Sequence, residues 1–260
     1  SDESEVRLAA VGCLLRYGGR AQRERALETV RELARSDDPA QRRTAAGLLG
    51  QLEQLPPELV PLLEELVRDP EVAVCHQAME AAGRSRAPSL VPVLLERLDR
   101  PEYRQPARAA LEAFGAPVHE RLLEHLEDPG TSAPVRTTIP AFFVPDAEQE
   151  TVEGLVALLP ELEAPARYAV LKALNKLRRD RKDLRFGDLE LEPSIRSELR
   201  LAYTWTALWA DLEDGAAPPP AGSGRESFLG RTLRQRRSEA VERAFRALAL
   251  QNSQKDVHAA

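Results

Sequence analysis

The sequence predicts an all-α protein, an α-solenoid of stacked helical hairpins with an irregular helical cap at its C-terminal end. Three observations carry this expectation. Gly18, Gly50, Gly83 and Gly115 fall 32, 33 and 32 residues apart. An Ala-rich segment precedes each of them, and most are followed by aliphatic residues at i, i+3, i+4 and i+7, the pattern of a one-sided helix. The 260 residues are 43% hydrophobic but only 5% aromatic, so the core must be aliphatic, as Ala–Leu helix pairs are. Neither helix of such a pair can hide its apolar stripe alone, so neighbouring pairs must stack.

Each unit opens on Asp-Pro or a relative of it: Asp38-Pro39, Asp69-Pro70, Arg100-Pro101 and Asp128-Pro129. Asp accepts from the free N–H groups of a helix start, and Pro is tolerated in the first turn. First helices follow around residues 5–10, 41–46, 72–78 and 104–110, and the periodic glycine is expected to end each one in the left-handed conformation. Second helices carry Val60-Pro61 and Val91-Pro92, which are 31 residues apart, and residues 118–126 are a degenerate third copy. Ala on the first helix permits close approach, and Leu on the second fills the space between. The solenoid is expected over residues 1–185, in about six units. A long capping helix is expected within 186–213, starting at Pro193, followed by a Pro/Gly linker over 214–224. A last helix over 225–250 should turn Leu229, Leu233, Val241, Phe245 and Leu248 inward, and 251–260 should fray.

These units resemble HEAT repeats in the short form common in bacteria, whose pattern runs Asp-Pro, Val-Arg, Ala-Ala, Leu-Gly. The resemblance covers about residues 2–183. The fifth unit keeps Val135-Arg136 but loses Ala-Ala and the glycine, and the sixth runs over residues 164–178. It implies a scaffold that offers a concave face, lined by second helices, to a protein or peptide. A narrower likeness rests on residues 167–178 and 242–250. They are similar to the soluble HEAT region of bacterial membrane proteins that fuse HEAT repeats to an ADP/ATP-translocase-like, major-facilitator transporter. That likeness implies a cytoplasmic regulatory module, tethered to the inner membrane through segments outside this sequence. A nucleotide or the attached transporter domain would then be its partner. The sequence begins without Met, holding only Met79, and its first unit starts at residues 2–5, as expected for a piece of a longer chain.

Other function classes fit poorly. Thirty-six basic residues against 42 acidic ones give a net charge of −6, which disfavours bulk binding to nucleic acid. The alternative of a HEAT-like nucleic-acid-binding or DNA-repair protein of the glycosylase kind needs a basic concave face and an acid beside a stacked aromatic. Cys13 and Cys75 make no disulfide framework and match no zinc spacing; they read as small core residues. His119 and His125 are six residues apart, about 240° around a helix, so they cannot share one metal. HEAT-like iron hydroxylases carry several His-Glu pairs, and this chain has only His119-Glu120. Gly-rich phosphate loops and nucleophile elbows are absent from the sequence. The expectation is therefore a non-enzymatic protein with no catalytic, cofactor or metal residues and no membrane-spanning segment.

Two candidate sites remain. Residues 178–185 are strongly basic, and Arg167, Lys172, Lys176, Arg178, Arg179, Arg181 and Lys182 form a candidate patch for an anionic partner. The same run also reads as a helix C-terminus whose cations oppose the helix dipole. Trp205 and Trp209 share a helix face and read either as an aromatic anchor or as core sealing the end of the solenoid. Arg231, Arg234, Arg236 and Arg237 make a second basic cluster. Arg236 and Arg237 interrupt an apolar stripe and are expected to pair, with Glu239 or a carboxylate of the preceding helix.

Overall fold

The structure is a computed structural model that describes residues 2–52, 54–186, 189–215 and 228–251. Among these residues it contains thirteen α-helices and no strand, an all-α solenoid fold. Residues 216–224 of the expected linker and 252–260 of the expected tail lie outside the described residues. The chain forms two compact units, residues 1–125 with 130–135, and residues 126–129 with 136–260. The division falls inside the stretch expected to be solenoid.

The first unit alternates two kinds of helix. First helices are α1 (Asp2–Tyr17), α3 (Pro39–Leu49), α5 (Val72–Ser85) and α7 (Pro101–Phe114). Second helices are α2 (Arg20–Ala34), α4 (Val60–Val67) and α6 (Val91–Leu98), and α8 (His119–Glu127) runs across the division. Helix α3 packs on α5 and α5 on α7, while α2, α4 and α6 pack against α3, α5 and α7 respectively. Ala45, Ala46, Ala78, Ala81, Ala82, Ala107 and Ala110 are buried on the first helices. Leu62, Leu63, Leu66, Leu94, Leu95 and Leu98 are buried on the second. Small residues set the close approach, and the branched chains fill the space it leaves. The Val-Pro pairs open α4 and α6 after 3-10 turns at Pro57–Leu59 and Pro88–Leu90. Proline costs nothing there, because first-turn N–H groups lack an intrahelical acceptor anyway.

Two details of the repeat differ from expectation. The glycines do not mainly supply left-handed backbone. Gly50 ends α3 with φ −70 and Gly83 lies inside α5. Their reason is space: a Cβ on Gly50 would stand 3.0 Å from Ala81 Cβ, and one on Gly83 would stand 3.0 Å from Ala110 Cα. Each glycine is thus the point where one first helix touches the next. Among the described residues only Gly115 has a positive φ, 67, for a glycine, and the left-handed cap of α5 is Arg86 at φ 50. The Asp-Pro motif also divides its work. Asp38 caps α3, accepting from the Ala40 N–H at 2.9 Å. Asp69 instead precedes a turn, and α5 starts only after Glu71.

The second unit is less regular. It holds half of the short α9 (Ala133–Thr138, on the division), a 3-10 stretch at Ile139–Phe143, α10 (Gln149–Leu158), α11 (Ala164–Asp180), α12 (Glu192–Gly215) and α13 (Phe228–Gln251). Helix α12 packs on α13, and α13 packs on α11. The buried face of α13 is Gly230, Leu233, Ala240, Arg243, Ala244, Ala247 and Leu250. Of the residues expected inward, Leu233 is buried, but Leu229 and Phe245 are 52% and 65% exposed. The physical reason is that α13 is wedged against two helices. Contact on two sides favours its small-residue stripe and leaves the large side chains outside. Cys75 is buried, as expected for a small core residue, whereas Cys13 is exposed.

Candidate functional site

The strongest polar cluster is buried in the second unit. Arg167 on α11, Glu198 on α12 and Arg243 on α13 are each less than a tenth exposed. Arg167 Nη1 donates to Glu198 Oε1 at 2.6 Å. Its Nε donates to the Leu159 carbonyl at 2.8 Å, and its Nη2 donates to the Leu162 carbonyl at 2.6 Å. One guanidinium thereby satisfies carbonyls just past the end of α10 and a carboxylate on α12, a task that suits the planar, spread fork of arginine rather than the single nitrogen of lysine. Arg243 Nε lies 2.9 Å from Glu198 Oε2, off the hydrogen-bond direction, so this contact is an ion pair rather than a hydrogen bond. The cluster ties three helices together. It occupies no opening and serves packing.

This placement takes Arg167 away from the candidate basic patch. Of the remaining members, Lys172 and Lys176 are exposed on one face of α11. Arg179 is exposed and pairs with its neighbour Asp180 at 2.8 Å, and Arg181 pairs with Asp183 at 2.7 Å. These hydrogen bonds, foremost among the causes, hold both Asp carboxyls below the ordinary carboxylate range. Arg178 is half-buried, and its carbonyl accepts from Lys182 Nζ at 3.4 Å. The run therefore offers an incoming anion chiefly Lys172, Lys176 and Lys182.

The aromatic pair also sits differently from a free anchor. Trp205 and Trp209 are half-buried in the α12–α13 hairpin. The Arg234 and Arg237 guanidinium carbons stand 5.5 and 5.6 Å from the Trp209 ring centroid, within cation–π range. Arg236 reaches Glu239 only at 3.8 Å and is exposed, so the expected clamp of α13 is Arg243 instead. Arg246 completes the α11–α13 contact. It lies 5.0 Å from the Tyr168 ring centroid and pairs with Glu242, which the Tyr168 hydroxyl also reaches at 3.1 Å.

In the first unit, openings lie along the first helices. A groove of about 660 Å³ between α5 and α7 is floored by Gly83, Ala109, Ala110 and Ala113 and rimmed by His76 and Arg86. A second, of about 500 Å³, is lined by Ala9, Arg43, Thr44, Gly47, Gln51 and Gln77. Neighbouring repeats are tied by two ionic rungs. Arg42 meets Asp69 with two hydrogen bonds, at 2.6 and 3.0 Å. Arg68 meets Glu96 likewise, at 3.2 and 3.1 Å. Burial pushes the Asp69 carboxyl up, but the Arg42 hydrogen bond, the Glu71 N–H and the Arg42 charge together hold it below the ordinary carboxylate value.

Sequence reasoning missed Glu198 and Arg243. The signal available was the spacing of Gly230, Leu233, Ala240, Ala244 and Ala247, which marks a small-residue face with Arg243 on its edge. Among the described residues no helix is long and apolar enough to cross a membrane. Comparison with known families gives one finding. The family model for HEAT repeats matches residues 1–74 and 34–115, the stretch that holds α1 to α7. This part of the chain is thus similar to HEAT repeats. No curated protein matches the chain.

Proposed function

We propose that the chain is a non-catalytic interaction scaffold whose HEAT-repeat unit holds a protein or peptide partner. The observation that carries this reading is the run of stacked hairpins over α1 to α7, where two ionic rungs tie neighbouring repeats. Such repeats present extended surfaces, and they hold partners by shape rather than by reactive groups. The groove between α5 and α7 supports one place of contact, because its Ala floor is open and its rim polar. The exposed lysines of α11 support a second contact, with an anionic partner.

The test is affinity capture from a cell lysate with the wild-type chain and two variants. Ala113→Arg fills the groove between α5 and α7 from an exposed position, and Arg179→Glu reverses one charge of the basic run. One specific partner is expected on the wild type, lost by at least one variant, with both variants melting as the wild type does. Capture of no specific partner counts against the scaffold reading. If Arg179→Glu unfolds the chain, the basic run is structural and the anionic contact fails.

The narrower proposal is a regulatory module of a transporter-like membrane protein, with a nucleotide or the attached transporter as partner. It rests on the likeness of residues 167–178 and 242–250 alone. Those segments contain Arg167, Tyr168, Arg243 and Arg246, the residues that clamp α11 to its neighbours. Thermal shift with ATP, ADP and cyclic nucleotides tests it, since a ligand bound only by the folded state raises stability. No shift at millimolar nucleotide removes the nucleotide from the proposal.

A further inference from the structure

Most of the large hydrophobic side chains left exposed belong to one hairpin. Among the described residues Leu199, Tyr203, Leu208, Phe228, Leu229 and Phe245 are exposed on α12 and α13, and only Tyr17 and Val72 elsewhere. On α12 the pattern is orderly. Residues 201–210, Leu-Ala-Tyr-Thr-Trp-Thr-Ala-Leu-Trp-Ala, hold no charge in a chain that is 30% charged. Half of this stretch is turned to solvent: Tyr203, Thr204, Ala207, Leu208 and Ala210 are exposed, with Tyr203 at 76%. Ten residues are far too few to span a bilayer, which takes about 20.

The stretch is bounded by opposite charges on the exposed side. Arg200 precedes it and Asp211 follows it; both are exposed, and neither makes an ion pair among the described residues. They stand eleven residues apart, three full turns, and so share a helix face with Ala207. A face that runs from cation through uncharged surface to anion is complementary to itself when reversed. Laid antiparallel on a second copy, with the two-fold axis between residues 205 and 206, Arg200 meets Asp211 of the other copy at both ends. The same register sets Tyr203 against Leu208 and Thr204 against Ala207. Large residues then meet large ones off the axis, and small ones let the helices approach near it.

We infer that the exposed face of α12 is a homodimer contact, formed antiparallel with α12 of a second copy of this chain. Size sets the strength. In this register residues 196–215 of the two copies overlap, about 30 Å of helix, and a contact about 10 Å wide buries on the order of 300 Å² per copy. Stable complexes bury about 800 Å² per partner, so this contact makes a weak, concentration-dependent dimer. The inference does not depend on the scaffold reading, since it concerns the second unit and needs no other partner.

Sedimentation velocity of the full chain, from micromolar to millimolar concentration, is the test. A monomer–dimer equilibrium is expected. Arg200→Asp and Asp211→Arg are each expected to weaken it about tenfold, by setting like charges together at both ends of the seam. The double variant is expected to recover the wild-type dimer, because the pairs are restored in reverse. Tyr203→Ser, which removes ring contact without changing charge, is expected to leave monomer. All three positions of change are exposed, and thermal melting is read on the same samples to hold the fold constant. A chain that stays monomeric throughout, a dimer indifferent to Arg200→Asp, or a double variant no better than the single ones overturns the inference.

Discussion

Glu198 shows what a buried charge does for a small protein unit. Alone, its carboxylate would be costly to desolvate; with Arg167 and Arg243 beside it, the three charges share that cost. Removing the shared member strands two guanidinium groups. Glu198→Ala is therefore expected to destabilise the second unit by about 3–5 kcal/mol, read by urea denaturation. The two arginines are not equivalent. Arg167 also donates to the carbonyls of Leu159 and Leu162, whereas among the described residues Arg243 has its ion pair to Glu198 alone. Arg167→Met should cost more than Arg243→Met, because it leaves backbone acceptors unsatisfied as well. Equal losses would show that the ion pairs, not the helix end of α10, dominate. A glance at the sequence could not rank these residues. Arg167 sits beside lysines of an exposed run, and only the depth at which α12 and α13 meet it separates it from them.

Elements repeat where their boundaries are local and diverge where partners decide. The paired helices of the first unit were legible, because Val-Pro at a helix start and Leu at i, i+3, i+4 act within one turn. The role of the periodic glycines was only half legible. Their spacing marks the repeat, but Gly50 and Gly83 are there for Ala81 and Ala110 of the next helix, which no local rule reports. The inward face of α13 was misread for the same reason, since large side chains signal burial only when the neighbour stands far enough away. Asp69 is the element-scale case with a pH signature. Folding lowers its pKa, so its contribution is complete above the ordinary carboxylate value and is lost as pH falls through the folded value. Asp69→Asn is expected to cost about 1–3 kcal/mol at pH 7, where the Arg42 bridge is charged. It should cost less at a low pH that lies below the folded-state value, where Asp69 is protonated in the wild type too. Chemical denaturation at the two pH values reads the difference, and a cost independent of pH would show that the bridge is not what Asp69 contributes.

At the scale of the molecule, the chain divides into two compact units, residues 1–125 with 130–135 and residues 126–129 with 136–260. The sequence period counts residues between similar helices, and it carries no information on where contacts thin out. The break falls where the pattern decays, after Gly115 and around the short α9, where Ala-Ala gives way to Thr137-Thr138 and bulky Phe142 and Phe143 fill the core. Repeat stability is approximately a sum of each unit and its nearest neighbours, so damage should stay local. Leu171 is 1% exposed in the second unit, and Leu171→Ala should cost about 2–5 kcal/mol there through the cavity it leaves. Native-state hydrogen exchange should then show lost protection in α10 to α13 and unchanged protection in α3 to α6. The mirror substitution, Leu95→Ala in a side chain 3% exposed, should reverse that pattern. Were either change to lower protection across both units together, the chain would unfold as one cooperative body. The stability of one unit would then depend on the other.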